Sequence, residues 1–155
     1  MKKFLFVILL ISIVIYSCDK EVQTTPLTID MASKGTLKGY VFADLDLTKT
    51  GLEPAPAGTK VLLSVSYDEY WYNSMGSYQD SAKLDNNGQF TIKIPANAEG
   101  VTVNVTPVDF LYDQKQLNNP SNPTLKRLYQ CSPFHIELIS GEVSYNTLYY
   151  DWRPF

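Results

Sequence analysis

The sequence contains few of the residues on which most catalytic and metal sites depend. One histidine and two cysteines occur among 155 residues, too few ligands for an ordinary zinc site. Beyond the extreme N-terminus, Lys126-Arg127 is the only basic pair, which excludes a nucleic-acid-binding protein. The longest apolar run, 4–16, would reach about 20 Å as a helix, short of a bilayer core of about 30 Å. No 3.6-residue periodicity follows residue 18, so an α-helical fold is excluded.

What is present begins with a secretion signal. Lys2 and Lys3 precede the apolar run, and Ser17 stands directly before Cys18. A positive start, a short apolar stretch and a small residue before the cut predict a signal peptide. Ser17-Cys18 resembles a bacterial lipobox, which implies a lipid-modified Cys18 at the mature N-terminus. Secretion without lipid is the alternative.

A lipid on Cys18 implies a protein tied to a membrane surface that it does not span. Two or more acyl chains make such anchoring stable. The charged tract Asp19-Lys20-Glu21 is similar to that of surface-exported lipoproteins of the Bacteroidetes, and a solvated linker explains it equally well. We therefore expect an envelope protein anchored to the outer membrane, facing the periplasm or the cell surface.

We divide the chain into a lipoprotein signal peptide (1–17), a lipidated N-terminus with a tether (18–34) and one folded domain (35–155). Cleavage removes Lys2 and Lys3 from the 13 basic residues, which leaves 11 against 16 acidic ones and a charge of −5. Because Cys18 is committed to lipid, Cys131 has no partner for a disulfide. The domain must therefore be held together by packing, with Cys131 as a buried thiol.

Short stretches of alternating apolar and polar residues predict β-strands throughout the domain. The clearest are 61–67, 90–94 and 101–105, where every second residue is apolar or aromatic. Further strands are expected at 37–41, 125–129, 134–139 and 143–150. Asp85-Asn86-Asn87-Gly88 predicts a hairpin turn, and Ser140-Gly141-Glu142 predicts another turn. These features indicate an all-β fold, an antiparallel β-sandwich of seven strands.

Three segments, in this order, resemble one family. Residues 35–41, Gly-Thr-Leu-Lys-Gly-Tyr-Val, are similar to a first strand written Gly-x-Val-x-Gly-x-Val. Residues 56–61 are similar to Pro-x-x-Gly-x-x-Val before the next strand, and residues 87–92 to Asp/Asn-Gly-x-Phe-x-Ile. Together they resemble the transthyretin-like (prealbumin-like), carboxypeptidase-regulatory-like domains, common in secreted proteins and lipoproteins of the Bacteroidetes. The resemblance implies a seven-stranded sandwich without catalytic residues of its own.

Two patterns resemble chemical sites, and each lacks an essential part. Cys131 lies four residues before His135, but a nucleophilic pair also needs an orienting acid, and no motif surrounds these two residues. Asp44, Asp46 and Thr48 alternate like the oxygen ligands of a calcium loop, without the glycine and the bidentate glutamate that such a loop requires. We therefore expect no catalytic residues, no metal and no cofactor.

The densest aromatic cluster, residues 67–78, contains four tyrosines and a tryptophan. If this stretch is an alternating strand, Tyr67 and Trp71 share one face while Tyr70 and Tyr72 share the other. Large aromatics dominate sandwich cores, so Tyr67 and Trp71 as plain core is the favoured interpretation. The alternative is a sugar-binding platform formed by Tyr70, Trp71 and Tyr72, because flat rings pack against the apolar faces of sugars.

A second aromatic group, 149–155, ends the chain and either caps the sandwich or contacts a partner. The main functional hypothesis is a non-enzymatic, lipid-anchored binding or assembly module of the cell envelope, with a glycan as the best-motivated ligand. The alternative is a structural subunit of an envelope protein complex. An enzyme using Cys131 and His135 is the third hypothesis and the least favoured.

Overall fold

A computed structural model describes residues 29–71 and 74–154 of the chain. The predicted signal peptide, Cys18, most of the predicted tether and Tyr72 lie outside the described residues. Within 29–71 and 74–154, no helix is both long and apolar enough to cross a bilayer.

Ten β-strands and one short 3₁₀ turn make up the described part of the chain. The turn covers Tyr67–Glu69 and directly follows the third strand. The strands, in chain order, are β1 (Lys34–Ala43), β2 (Glu53–Pro54), β3 (Lys60–Ser66), β4 (Ser77–Lys83), β5 (Gln89–Pro95), β6 (Val101–Pro107), β7 (Phe110–Lys115), β8 (Thr124–Gln130), β9 (Phe134–Leu138) and β10 (Val143–Pro154).

The strands form two sheets that enclose one core, so the all-β sandwich expected from the sequence is confirmed. The first sheet has the order β2-β1-β10-β8-β7, with β5 pairing β1 on the same side as β2, and the second has the order β4-β3-β6-β9. The inward residues of β3 and β6 come from the alternation seen in the sequence. They are Val61, Leu63, Val65, Val101, Val103 and Val105, each no more than 2% exposed.

Two details of the expected sandwich are wrong. The described residues contain ten strands instead of seven. β2 has only two residues, β4 is mostly polar, and the apolar residues of β7 are consecutive instead of alternating, so none of the three stands out in the sequence. The sheets are also not wholly antiparallel, since β1 and β10 run parallel from Thr36 opposite Val143 to Ala43 opposite Tyr150. Burial of Leu37, Leu148 and Tyr150 on the inner face of this pair stabilises the long-range pairing.

The turn at Asp85–Gly88 forms as predicted, although it does not make a hairpin. The Asp85 carboxylate accepts the N–H groups of Asn87 and Gln89, both at 2.8 Å, and Gly88 takes the positive φ of 68° that the turn needs. The strands on either side, β4 and β5, belong to different sheets. The turn therefore carries the chain from one layer to the other, and it places Phe90 in the core.

Candidate functional site

The aromatic cluster begins where β3 ends, and its local structure differs from the expected strand. The Ser66 hydroxyl accepts the Asp68 N–H at 3.3 Å, and the carbonyl of Tyr67 accepts the N–H groups of Tyr70 and Trp71 at 3.0 and 2.9 Å. These bonds close a 3₁₀ turn, in which side chains do not alternate between two faces. The expected separation of Trp71 from Tyr70 is therefore wrong, because the turn brings the two rings together.

Tyr70 is fixed in place by its own hydroxyl. The Tyr70 O–H donates to the carbonyl of Pro95 at 2.7 Å, at the end of β5. Burial raises the pKa of Tyr70 to about 12, and its ring packs against the core. This hydroxyl is already used inside the protein, so Tyr70 presents only its ring edge and face to a ligand.

Trp71 lies between two tyrosines. Its ring centroid is 5.6 Å from that of Tyr70 at an interplanar angle of 52°, and 6.2 Å from that of Tyr67 at 69°. Tilted and edge-to-face arrangements at such distances are favourable aromatic contacts. Trp71 is half-buried, so it is neither the plain core residue of the favoured interpretation nor a fully exposed ring.

Tyr70 and Trp71 form the apolar side of a small pocket of about 340 Å³. We call it the Trp71 pocket, and its polar side consists of Asp30, Ser33 and Asn97. Sequence reasoning missed these three residues. Asp30 and Ser33 lie in the segment assigned to the tether, and Asn97 follows β5 without a motif, so only the fold brings them to the aromatic rings.

The polar side of the pocket carries a negative charge. Asp30 accepts the Ala32 N–H at 2.9 Å, and this bond, together with the Ser33 hydroxyl, lowers the pKa of its carboxyl. Asn97 is oriented from within the protein, since its amide donates to the Glu69 carbonyl at 3.3 Å and its side-chain oxygen accepts the Glu99 N–H at 3.0 Å. The pocket thus combines an indole ring with an ionised carboxylate and a hydroxyl.

Cys131 and His135 are not brought together in one pocket. Burial raises the pKa of the Cys131 thiol, which is half-buried and packs against the core. His135 is exposed on β9, on the face opposite to its neighbours Phe134 and Ile136, which pack against the core. The thiol and the imidazole therefore do not form a nucleophile–base arrangement.

In the Asp44–Thr48 segment, groups of the protein itself bind the Asp46 carboxylate, where a calcium loop would bind its metal. Both the N–H and the hydroxyl of Thr48 donate to the Asp46 carboxylate, and Lys115 Nζ lies 3.1 Å from its other oxygen. The Thr48 hydroxyl is the largest contribution to an Asp46 pKa of about 2. The described residues contain no group of three or more acidic, histidine or cysteine side chains placed to hold a metal.

The C-terminal aromatics divide between core and surface. Tyr150 is buried and donates its hydroxyl to the Val108 carbonyl at 2.8 Å. Trp152 is half-buried beneath the guanidinium of Arg127, which lies 4.2 Å from the ring centroid. Tyr149 points outward and is 59% exposed. Tyr150 and Trp152 thus close the sandwich, and Phe155 lies outside the described residues.

No protein-family model matches the chain, and no curated protein matches it either. Among solved structures, the chain is similar to GBS52, the minor pilin of the Gram-positive pathogen Streptococcus agalactiae, with a TM-score of 0.43 and 10% identity over 79% of this chain. The chain spans 46% of that pilin's length. It is also similar to the major plantain pollen allergen Pla l 1, with a TM-score of 0.40 and 12% identity, over 79% of this chain and 96% of the allergen.

Proposed function

We propose that this protein is a non-enzymatic, lipid-anchored module of the cell envelope that binds a glycan in the Trp71 pocket. One observation carries the proposal: the fold places the half-buried ring of Trp71 beside the ionised Asp30 carboxylate and the Ser33 hydroxyl. A sugar offers an apolar C–H face to a flat ring and hydroxyl groups to a carboxylate. The pocket has both kinds of partner within about 340 Å³, at the small end of ligand-site volumes.

The position of the pocket suits a ligand near a membrane. Asp30 follows Cys18 by 12 residues, a separation that spans at most about 40 Å even when fully extended. A lipid on Cys18 would therefore hold the Trp71 pocket close to the bilayer surface. We also propose that the protein is anchored to the outer membrane. We further propose that its folded domain belongs among the transthyretin-like, carboxypeptidase-regulatory-like domains, on the basis of the three similar segments between residues 35 and 92.

Binding of a glycan panel by a soluble version that begins after Cys18 tests the ligand. Trp71→Ala should abolish saturable binding, because it removes the ring on which the sugar packs. Tyr145→Ala is the matched control, since Tyr145 is an aromatic residue of β10 that is 64% exposed and lies outside the pocket. Equal binding by a folded Trp71→Ala variant, or no binding to any glycan, would reject this ligand class.

Metabolic labelling of the full chain with a radioactive fatty acid tests the anchor separately. The label should enter the wild-type protein and be lost in Cys18→Ser, while Cys131→Ser keeps it. Unlabelled wild-type protein in the soluble fraction would favour secretion without lipid.

A further inference from the structure

The long strand β10 has an open edge along its first two thirds, from Val143 to Tyr150. It pairs with β1 from Val143 to Tyr150, but on its other side it pairs with β8 only over Asp151–Pro154. β8 ends at Gln130, and the chain then crosses to the other sheet, where it continues as β9. Within the described part of the chain, no strand therefore occupies the position beside β10 that a longer β8 would fill.

The register shows which backbone groups face this opening. Thr36 donates its N–H to the Glu142 carbonyl at 2.9 Å, and in a parallel pair every second residue bonds to the same neighbour. The even-numbered residues of β10 therefore face β1. Tyr145, Thr147 and Tyr149 direct their N–H and C=O groups to the open side.

Side chains substitute for the missing strand. The Thr147 N–H is held by the side-chain oxygen of Asn146 at 2.7 Å, and the Tyr149 N–H faces the Cys131 thiol, whose pKa it lowers against the larger effect of burial. Within 29–71 and 74–154, no strand pairs with the carbonyls of these two residues. Exposed strand edges of this kind are templates for pairing with another chain.

The open edge lines a groove of about 1070 Å³ from Asn146 to Tyr149, and we call this the β10 groove. Phe134, Leu148 and Val108 supply apolar surface along it. At the end where β8 stops, two carboxylates, Asp109 and Asp151, lie near the Cys131 thiol together with Arg153. Within the described residues neither carboxylate forms a salt bridge, and Asp109 accepts only the Gln130 amide at 2.8 Å.

We propose that the β10 groove binds an extended peptide of another protein, which adds as a strand antiparallel to β10 and in line with β8. Main-chain bonds to Tyr145, Thr147 and Tyr149 would give affinity, and alternate apolar side chains would enter the groove against Phe134 and Leu148. The N-terminal end of such a strand reaches Asp109 and Asp151, so a lysine or free amine there complements the two carboxylates. This inference is independent of the Trp71 pocket.

A short peptide fits the groove better than a second copy of this chain does. β10 is 12 residues long, and β8 closes the open stretch at Asp151. In an edge-to-edge pair of two β10 strands, the partner would run into Gln130, whereas a peptide of about five residues ends before it. The short open stretch therefore favours an isolated peptide over a strand that is already part of a folded sheet.

Fluorescence anisotropy with the full chain in detergent and the labelled peptide Lys-Val-Thr-Val-Thr-Val tests the proposal. We expect saturable binding that Thr147→Pro weakens at least about tenfold, because proline removes a donor from the edge. Thr147→Ala is the matched control, because it keeps the N–H, and should bind within about twofold of wild type. Since the Thr147 N–H faces away from β1, both variants should keep the circular dichroism spectrum of the wild type.

Two peptides with N-methyl groups at alternate positions add a readout that does not depend on the folding of any variant. One edge of the bound strand faces β10 and the other faces solvent, so one methylated set should lose binding and the other should retain it. Equal behaviour of the two sets, wild-type affinity in Thr147→Pro, or no binding by the wild type would overturn the proposal. A wild-type dimer in sedimentation that Thr147→Pro dissociates would also overturn it, in favour of a second copy.

Discussion

Gly39 should be intolerant of any side chain as long as Phe90 stands opposite. The two residues are cross-strand partners on β1 and β5, and the Phe90 ring lies over the face of Gly39. A Cβ added at Gly39 would come within 2.9 Å of ring carbon Cδ1 and closer still to two other ring carbons. The ring is 3% exposed and belongs to the core, so it has little space into which to move.

The magnitude follows from two opposing effects of Gly39→Ala. Forcing an extra carbon into a packed core costs about 1–3 kcal/mol. Replacing glycine in the middle of a strand returns about 0.5–1 kcal/mol of conformational entropy. We therefore expect a net loss of about 1–2 kcal/mol in the free energy of unfolding. In a Phe90→Leu background the ring is absent, and Gly39→Ala should be neutral or slightly stabilising.

Urea unfolding of the four proteins of this double-mutant cycle, followed by tryptophan fluorescence, gives the coupling energy. With a slope of about 2 kcal/mol/M, the middle of the range for small proteins in urea, the midpoint of Gly39→Ala should fall by about 0.5–1 M. The coupling energy should be about 1–2 kcal/mol, with a sign showing that Phe90→Leu relieves the destabilisation caused by Gly39→Ala. A Gly39→Ala protein as stable as wild type, or an equal loss in both backgrounds, would refute the packing described for Phe90.

Three further predictions concern single residues. The Asp46 pKa of about 2 in the folded protein lies below its value of about 3.8 in an unfolded chain. The ionised Asp46 carboxylate therefore stabilises the fold fully above about pH 4, and this stabilisation is lost as the pH falls towards 2. The difference in the free energy of unfolding between wild type and Asp46→Asn, measured in urea, should shrink over that range. Tyr129→Phe removes the 2.6 Å hydrogen bond to the Asp44 carbonyl and should lower the free energy of unfolding by about 1 kcal/mol in the same assay. Gly88→Ala places a side chain at a φ of 68°, with its new Cβ 2.5 Å from the Val41 carbonyl oxygen. It should lower the thermal midpoint by several degrees, at about 2–4 °C per kcal/mol for a chain of this length, and an unchanged midpoint would contradict the turn geometry.

Strict alternation made β3, β5 and β6 predictable from the sequence, because one face of each strand is buried and the other is not. β4 was missed because Ala82 is its only buried residue, and β7 because its one buried residue is Gln114. Gln114 is buried because its amide donates to the Asp44 carbonyl at 2.8 Å, a contact across 70 residues. The parallel pairing of β1 with β10 is equally long-range, and local pattern carries no signal for it.

The candidate site was predictable only in part and for a similar reason. Composition alone drew attention to Tyr70 and Trp71, but the Ser66 cap that starts the 3₁₀ turn overrode the expected alternation. Asp30 and Asn97 reach Trp71 only because β1 and β5 lie side by side, which places the start of one strand beside the end of the other. Secondary-structure propensity depends on residues that are close in the sequence, whereas this pocket is built from three segments that are far apart in it.

The fluorescence of Trp71 itself gives the most direct test of the proposed glycan site. The chain has two tryptophans, so Trp152→Phe leaves Trp71 as the only indole. Titration of this variant with each member of a glycan panel should give a saturable change in Trp71 emission with at least one sugar, and Asp30→Asn should weaken that response. A sugar that binds the protein while the emission of Trp71 stays constant would contradict the account, as would a panel in which no member binds.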